Sequence, residues 1–370
     1  MSSLPILKDL HIRITSKCNM NCPHCYAADW FGDNVQLDFV TISKLVEEAI
    51  DLGCRKVTFT GGEPLVSDFL IDSIIFCFSK GLRVEVESNG MLIDKIIKNL
   101  GNFISKVEFA ISYDGEKMRG DKQAAIVRKN IEKLVDIGCD VKIQTVITNI
   151  NDTEIDHIFG FSERLNIRNR VFLAHSPNGN GKNISLRKIN DCLKTVSTLR
   201  DRYKHVIIEL PDIFSGGGQK KCGWGVHRCE IMPNGDVTSC APITFNNRTF
   251  IAGNIKERPL KEIWSSSHFQ RIRELHQANF KGLCAKCIFW KTCLGACRSI
   301  SFSTGGDLLS PHPFCIELFD GIKDKSIDMS SFSEDIQNVI YQWISNIESP
   351  HFNANNERYE DIVKAQHKLL

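Results

Sequence analysis

Thr41-Ile42-Ser43-Lys44-Leu45-Val46-Glu47-Glu48-Ala49-Ile50-Asp51-Leu52-Gly53-Cys54-Arg55-Lys56-Val57 carries the pattern that decides the fold. Ile42, Leu45, Val46, Ala49 and Ile50 recur at i, i+3, i+4, i+7 and i+8, which predicts one buried helical stripe, and Gly53 follows as a terminator. The chain then passes through Cys54 into an apolar run. Val127 to Ile137 repeats the arrangement with Val127, Ile131, Leu134 and Val135, and Ile137-Gly138-Cys139-Asp140-Val141-Lys142 is an equivalent helix-to-strand joint. Outward from these joints, strands are expected at Leu10 to Thr15, Lys56 to Thr60, Leu82 to Glu87, Lys106 to Tyr113, Asp140 to Thr148 and Arg168 to Ala174. Mostly helical segments separate them. Consecutive βα units imply a parallel sheet, which right-handed crossovers curl into a full or partial barrel with its active site at the C-terminal strand ends.

The 370 residues are long for one domain, and the expectation is one large α/β body with a smaller module. Hydrophobic residues at 42% and charged residues at 24% match an ordinary globular chain and exclude disorder over most of its length. A net charge of +2 offers no field for a phosphate backbone or an anionic membrane, so neither nucleic acid nor membrane is an expected partner. Met1 to Arg13 holds no apolar signal region and nowhere do 18 apolar residues run together, from which a cytoplasmic protein is expected. Gly216, Gly217 and Gly218 mark a boundary near residue 215, giving expected domains at 1–215, 216–320 and 321–370. In the last, Val339, Ile340, Trp343, Ile344 and Ile347 fall at helical spacing.

The count of 15 cysteines stands out, because thiols kept reduced in such numbers point to metal before disulfides. Cys18, Cys22 and Cys25 sit in the loop after the first strand. Cys222, Cys229, Cys240, Cys284, Cys287, Cys293, Cys297 and Cys315 form a second block, while Cys54, Cys77, Cys139 and Cys192 are scattered singly and are assigned no chemistry. Three thiolates suit an iron-sulfur cluster better than a structural zinc ion, which wants four ligands; zinc with His24 as the fourth is the reading this spacing leaves open.

Further strand ends carry polar loops. Thr60-Gly61-Gly62-Glu63-Pro64 follows the second strand, where two glycines let backbone approach a ligand while carbonyls and Glu63 receive an ammonium. Ser88-Asn89-Gly90 ends the third strand and Ser112-Tyr113-Asp114-Gly115 the fourth. Singly, each reads as a turn or a helix cap. In this order behind the cysteine loop, the chain resembles the radical S-adenosylmethionine (SAM) enzymes. The resemblance implies that Cys18, Cys22 and Cys25 hold a [4Fe-4S] cluster whose fourth iron is chelated by SAM. His24 stands where the family has an aromatic residue and is followed by Tyr26. Gly61, Gly62, Glu63 and Pro64 match the family's GGEP motif for the methionine amino group; Ser88, Asn89, Ser112 and Asp114 fall at the places of ribose and carboxylate contacts, and Arg119 is a candidate for the SAM carboxylate.

From Cys222 the spacing is Cys222-x12-Gly235-x4-Cys240, then Cys284-x2-Cys287-x5-Cys293-x3-Cys297-x17-Cys315. It resembles the SPASM extension of that family, which binds two auxiliary [4Fe-4S] clusters. Carried over by position, Cys222, Cys240 and Cys297 ligate the first and Cys284, Cys287, Cys293 and Cys315 the second. Cys229 is expected to complete the first set, the alternative being a buried core thiol. Pro233-Asn234-Gly235-Asp236 reads as a hairpin turn that brings the segments of Cys222 and Cys240 near each other.

The resemblance covers residues 8 to 319. It implies a partial six-stranded TIM-like barrel with a bridging helix, then the SPASM domain and a helical tail. It further implies three [4Fe-4S] clusters, SAM, and a flavodoxin- or ferredoxin-type reductant. The implied reaction is hydrogen abstraction from a substrate C–H by a 5'-deoxyadenosyl radical. A ribosomally made peptide is the expected substrate; a sugar or aminoglycoside is the alternative. Sulfatase-maturing relatives carry Asp directly after the Cys equivalent to Cys240, where this chain has Ala241, so no formylglycine chemistry is expected. No leader-binding winged helix is expected ahead of the strand at Leu10.

Overall fold

Along β1 (Asp9–Thr15) the side chains alternate between two faces, as pleating requires. Leu10, Ile12 and Ile14 are fully buried against helices, while Asp9, His11 and Arg13 line the other face and are buried among polar partners. The computed structural model describes residues 5–29, 34–173, 202–203, 205–208, 211, 223–274, 280–332 and 334–349. After β1 come α1 (Phe39–Asp51), β2 (Lys56–Gly61), α2 (Leu70–Ser79), β3 (Arg83–Ser88), α3 (Ile93–Leu100), β4 (Val107–Ser112), α4 (Glu116–Arg119), α5 (Asp121–Ile137), β5 (Asp140–Ile147), α6 (Ile155–Arg164) and β6 (Arg168–Leu173). The six expected strands all form, each within one residue of the described bounds.

The two helices read from periodicity form as their caps dictate. Asp38 caps α1 by accepting the Thr41 N–H at 2.7 Å, and Ile42, Leu45, Val46 and Ala49 are its buried stripe. Gly138 ends α5 in the left-handed conformation at φ 87°, which only glycine adopts freely. Each fully buried Leu or Ile of these stripes contributes about 1.5–3 kcal/mol. Strands β1 to β6 pair in parallel, each with the next in sequence.

The remaining strands are β7 (Val206–Ile208), β8 (Arg228–Ile231), β9 (Asp236–Thr238) and β10 (Ile251–Asn254), and the sheet order is β10-β9-β8-β1-β2-β3-β4-β5-β6-β7. The turn at Gly235, φ 95°, joins β8 and β9 as an antiparallel hairpin, as its sequence predicts. β8 also pairs in parallel with β1, setting Leu10 beside Cys229 and His11 beside Glu230. The sheet therefore continues past the expected boundary.

Two compact units result. The first takes residues 1–186, 203–207 and 223–274, and the second 187–202, 208–222 and 275–370. This differs from a single cut near residue 215, because the hairpin of the cysteine-rich block is bonded into the barrel's own sheet. The first unit also holds α7 (Ala241–Asn246), α8 (Leu260–Trp264) and α9 (Ser267–Arg273); the second holds α10 (Gly282–Ala285), α11 (Trp290–Cys293), α12 (Arg298–Gly305), α13 (Pro313–Lys323) and α14 (Glu334–Glu348). In α14 Ile340, Trp343 and Ile347 are buried, which confirms the helical spacing of the tail. The expected bridging helix lies outside the described residues, as do Cys192 and Cys222. Among the described residues no helix is long and apolar enough to cross a membrane.

Candidate radical SAM and auxiliary cluster sites

Cys18, Cys22 and Cys25 occupy the loop that leaves β1, each half-buried, and no described cysteine is in a disulfide. Burial pushes the Cys22 thiol up to about 12, and those of Cys18 and Cys25 upward too, so the metal-free thiols are protonated and a bound metal would have to displace their protons. The loop is fixed from the next strand. Gly62 N–H donates to the Thr15 carbonyl and Glu63 N–H to the Lys17 carbonyl, both at 2.8 Å. A Cβ on Gly61 would stand 2.5 Å from the Thr15 oxygen, and one on Gly62 would stand 2.2 Å from the Lys17 oxygen. The close approach that demands two glycines is thus to the cysteine loop's own backbone, where the sequence suggested a ligand.

Glu63 is fully buried. Its Oε1 accepts the Ser88 hydroxyl at 2.8 Å and the Leu65 N–H at 3.1 Å, and its Oε2 accepts the Asn89 N–H at 2.7 Å. Burial raises its carboxyl to about 7 against the pull of those donors. Three of about four acceptor positions are filled, leaving one for an ammonium, whose charge would restore the ionised form. Pro64 opens the short 3-10 turn that Glu63 caps.

Asn89 joins the third strand end to the cysteine loop, donating from Nδ2 to Asn19 Oδ1 at 2.7 Å. Asp114 gathers the fourth. Its Oδ1 accepts the Val146 N–H at 2.8 Å, while Oδ2 faces Arg119 Nη2 at 3.3 Å and His24 Nε2 at 3.8 Å. Arg119 Nη1 donates to the Asn89 carbonyl at 3.0 Å, so His24, Asn89, Asp114 and Arg119 form one cluster; Ser112 ends β4 close by in sequence. Burial lowers the His24 pKa and keeps the ring neutral. His24 Nδ1 and Arg119 Nε are buried with no hydrogen-bond partner in the protein. Buried orphans are costly and ask for a ligand, which fits SAM beside the cysteine loop.

Tyr26 takes a different place from the rest. Its hydroxyl accepts from Arg13 Nη2, and its ring lies 5.6 Å from that of Phe245. Arg13 also donates from Nε to Glu230 Oε1 and from Nη1 to the Gly61 carbonyl at 3.0 Å. Glu230 in turn accepts the Ala241 N–H at 2.9 Å. Sequence reasoning passed over Arg13 and Glu230; the signal was an ionisable residue at every second position along each of the two strands.

Cys240 caps α7 at the end of the hairpin. Cys229 is fully buried on β8, and strand alternation sets it on the face opposite Glu230, with Leu10 as its neighbour and Cys54 near enough to add to the upward pull of burial on its thiol. Those are the surroundings of a core thiol. Cys54, Cys77 and Cys139 are likewise buried.

Within the second unit, Cys284, Cys287, Cys293 and Cys315 all line one cavity, walled by Phe280, Phe289, Trp290 and Trp343. Trp343 of α14 reaches the Cys287 thiol, which explains what the tail helix packs on. Burial raises the thiols of Cys284, Cys287 and Cys315. Among the described residues no three Cys, His, Asp or Glu side chains gather around a single ion. Four thiols spread over the walls of an apolar cavity suit a cluster better than one zinc ion. Cys297 precedes α12 in the same unit.

Residues 12–161 match the Radical SAM superfamily, and residues 222–288 match SPASM, an iron-sulfur cluster-binding domain. The chain is a radical SAM enzyme with a SPASM domain. It is 25% identical over 327 residues to the mycofactocin maturase MftC of Mycolicibacterium smegmatis, covering 82% of this chain and 81% of that one. It is 27% identical over 349 residues to the AdoMet-dependent heme synthase of Nitratidesulfovibrio vulgaris, covering 84% and 92%. Among solved structures, Streptococcus suis SuiB bound to S-adenosylmethionine superposes with a TM-score of 0.68 at 18% identity, covering 84% of this chain and 77% of that one. The radical SAM/SPASM enzyme therefore binds SAM and iron-sulfur clusters.

Proposed function

We propose that this enzyme oxidises a ribosomally synthesised peptide, forming a cross-link or an unsaturated residue, or inverts a residue's stereochemistry. The observation that carries the reading is the likeness to a mycofactocin maturase over 82% of the chain. The cluster assignments belong to it. Cys18, Cys22 and Cys25 hold the SAM-binding cluster; Cys222, Cys240 and Cys297 the first auxiliary cluster; Cys284, Cys287, Cys293 and Cys315 the second. Cys229 is left out of the ligands, because it is fully buried on β8 beside Leu10.

Once bound and reduced, the first cluster supplies reductive cleavage of SAM to methionine and a 5'-deoxyadenosyl radical that takes hydrogen from a C–H bond. The residues around it hold geometry. Glu63 receives the methionine ammonium on its free acceptor position, Arg119 offers Nε to the carboxylate, and His24 offers Nδ1 to the nucleoside, with Asp114 orienting both. Asn89 and Ser88 lock Glu63 in place. The electron is delivered to the enzyme by a flavodoxin or ferredoxin.

The test is anaerobic incubation of the holoenzyme with SAM, reductant and short peptides encoded beside its gene, following deoxyadenosine and peptide mass. Loss of two hydrogens, or unchanged mass with deuterium taken up from heavy water, supports the peptide reading. Deoxyadenosine stimulated only by a porphyrin precursor of heme, or only by an amino sugar, refutes it.

A further inference from the structure

Arg298 is the first residue of α12, directly after Cys297. Its Nη1 donates to the Leu308 and Ser310 carbonyls at 2.8 and 2.9 Å, and its Cζ lies 5.2 Å over the Phe280 ring. Those contacts engage one nitrogen of three. Nε and Nη2 are buried and have no hydrogen-bond partner in the protein. A guanidinium stays charged, and each buried N–H left without an acceptor costs about 1–3 kcal/mol.

The backbone makes room for this group. Leu294, Gly295 and Ala296 follow one another in the left-handed region at φ 47°, 75° and 58°, a costly run for two residues with side chains. A Cβ on Gly295 would stand 2.4 Å from Arg298 Nη2. The guanidinium is also within electrostatic reach of Cys284, Cys293, Cys297 and Cys315. Three of these line the cavity assigned above to the second auxiliary cluster.

Resting on that assignment, we propose that Arg298 is a positioning residue for electron transfer, its unpartnered N–H groups facing the sulfurs of the second auxiliary cluster and its charge raising that cluster's reduction potential. A [4Fe-4S] cluster with four thiolates goes from two negative charges to three on taking one electron, so a fixed cation stabilises the reduced form more. Hydrogen bonds to sulfur act in the same direction. The electron is the one left on the substrate after hydrogen abstraction. Its transfer to the cluster, with a proton released to solvent, completes a two-hydrogen oxidation.

The test is a potentiometric titration, followed by electron paramagnetic resonance, of the anaerobic wild-type holoenzyme, Arg298→Met and Arg298→Lys. The SAM-binding cluster is recognised by its response to added SAM. In Arg298→Met one of the SAM-insensitive couples should become at least tenfold harder to reduce, about 59 mV for one electron. Arg298→Lys, which keeps the charge, should recover most of that shift. Unmoved couples, or an equal shift in the SAM-responsive one, overturn the proposal. So does loss of about four irons from both variants, which would make Arg298 a structural brace. A wild type holding only about four irons overturns the cluster assignment itself, and is read before any variant.

Discussion

Arg13 on β1 donates from Nε to Glu230 on β8, joining the strand that leads into the Cys18–Cys25 loop to the strand that leads into the Cys240 hairpin. Both side chains are nearly sequestered, at 8% and 3% exposure, and neither has water to fall back on. Removing one partner of a buried ion pair strands the other charge. Arg13→Met should lower stability by about 3–5 kcal/mol, and Arg13→Met with Glu230→Leu should recover much of that, as measured by chemical unfolding of the cluster-free chain. Equal stability of the single variant and wild type would mean that the pair holds nothing together.

Gly62 is fixed by contact. A Cβ there would meet the Lys17 carbonyl, backbone that cannot swing aside, at 2.2 Å. Gly62→Ala should cost about 1–3 kcal/mol and displace the cysteine loop, abolishing SAM cleavage. Full cleavage by the variant would show that the loop tolerates a shift of its neighbour.

If Glu63 receives the SAM ammonium as proposed, SAM binding should be pH-dependent. Its carboxyl is raised by burial from 4.5 to about 7 in the ligand-free fold. The neutral form is the stable one there, so the stability it contributes is complete below 4.5 and is lost as pH rises through 7. A SAM ammonium prefers the ionised form, and SAM affinity should therefore fall as pH drops below 7. Calorimetric titration across that range should show the slope in wild type and not in Glu63→Gln.

By the resemblance of the spacing around Cys240, Ala241 falls where sulfatase-maturing enzymes are expected to carry a basic carboxylate. The nearby carboxylates are engaged elsewhere: Glu230 by Arg13 and the Ala241 N–H, and Asp236 by Asn234 and Asn254 at 2.7 and 2.9 Å. No formylglycine should form on a sulfatase Cys or Ser peptide, and its detection by mass spectrometry would require one of these carboxylates to be released.

Much of this was legible in the chain. The strands around Gly53 and Gly138 follow from local periodicity and left-handed caps; Glu63, Asn89 and Asp114 stand out as polar residues at successive strand ends, and their roles and that of Arg119 come from the family resemblance. Long-range pairing was not legible. Nothing local to Arg228–Ile231 says that it lies beside β1, so the pairing of Leu10 with Cys229 and the core-facing position of that thiol emerge only from the sheet. The same holds for Arg298, whose meaning depends on residues 10 and 12 positions away accepting its Nη1 bonds.

Iron and acid-labile sulfide, counted on anaerobically reconstituted wild type, Cys229→Ala and Cys284→Ala/Cys287→Ala, bear most directly on the division of the thiols into three sets. Wild type and Cys229→Ala should each hold about twelve irons, and the double variant about eight. About four irons in the wild type, or a Cys229→Ala chain that loses a whole cluster, would contradict it.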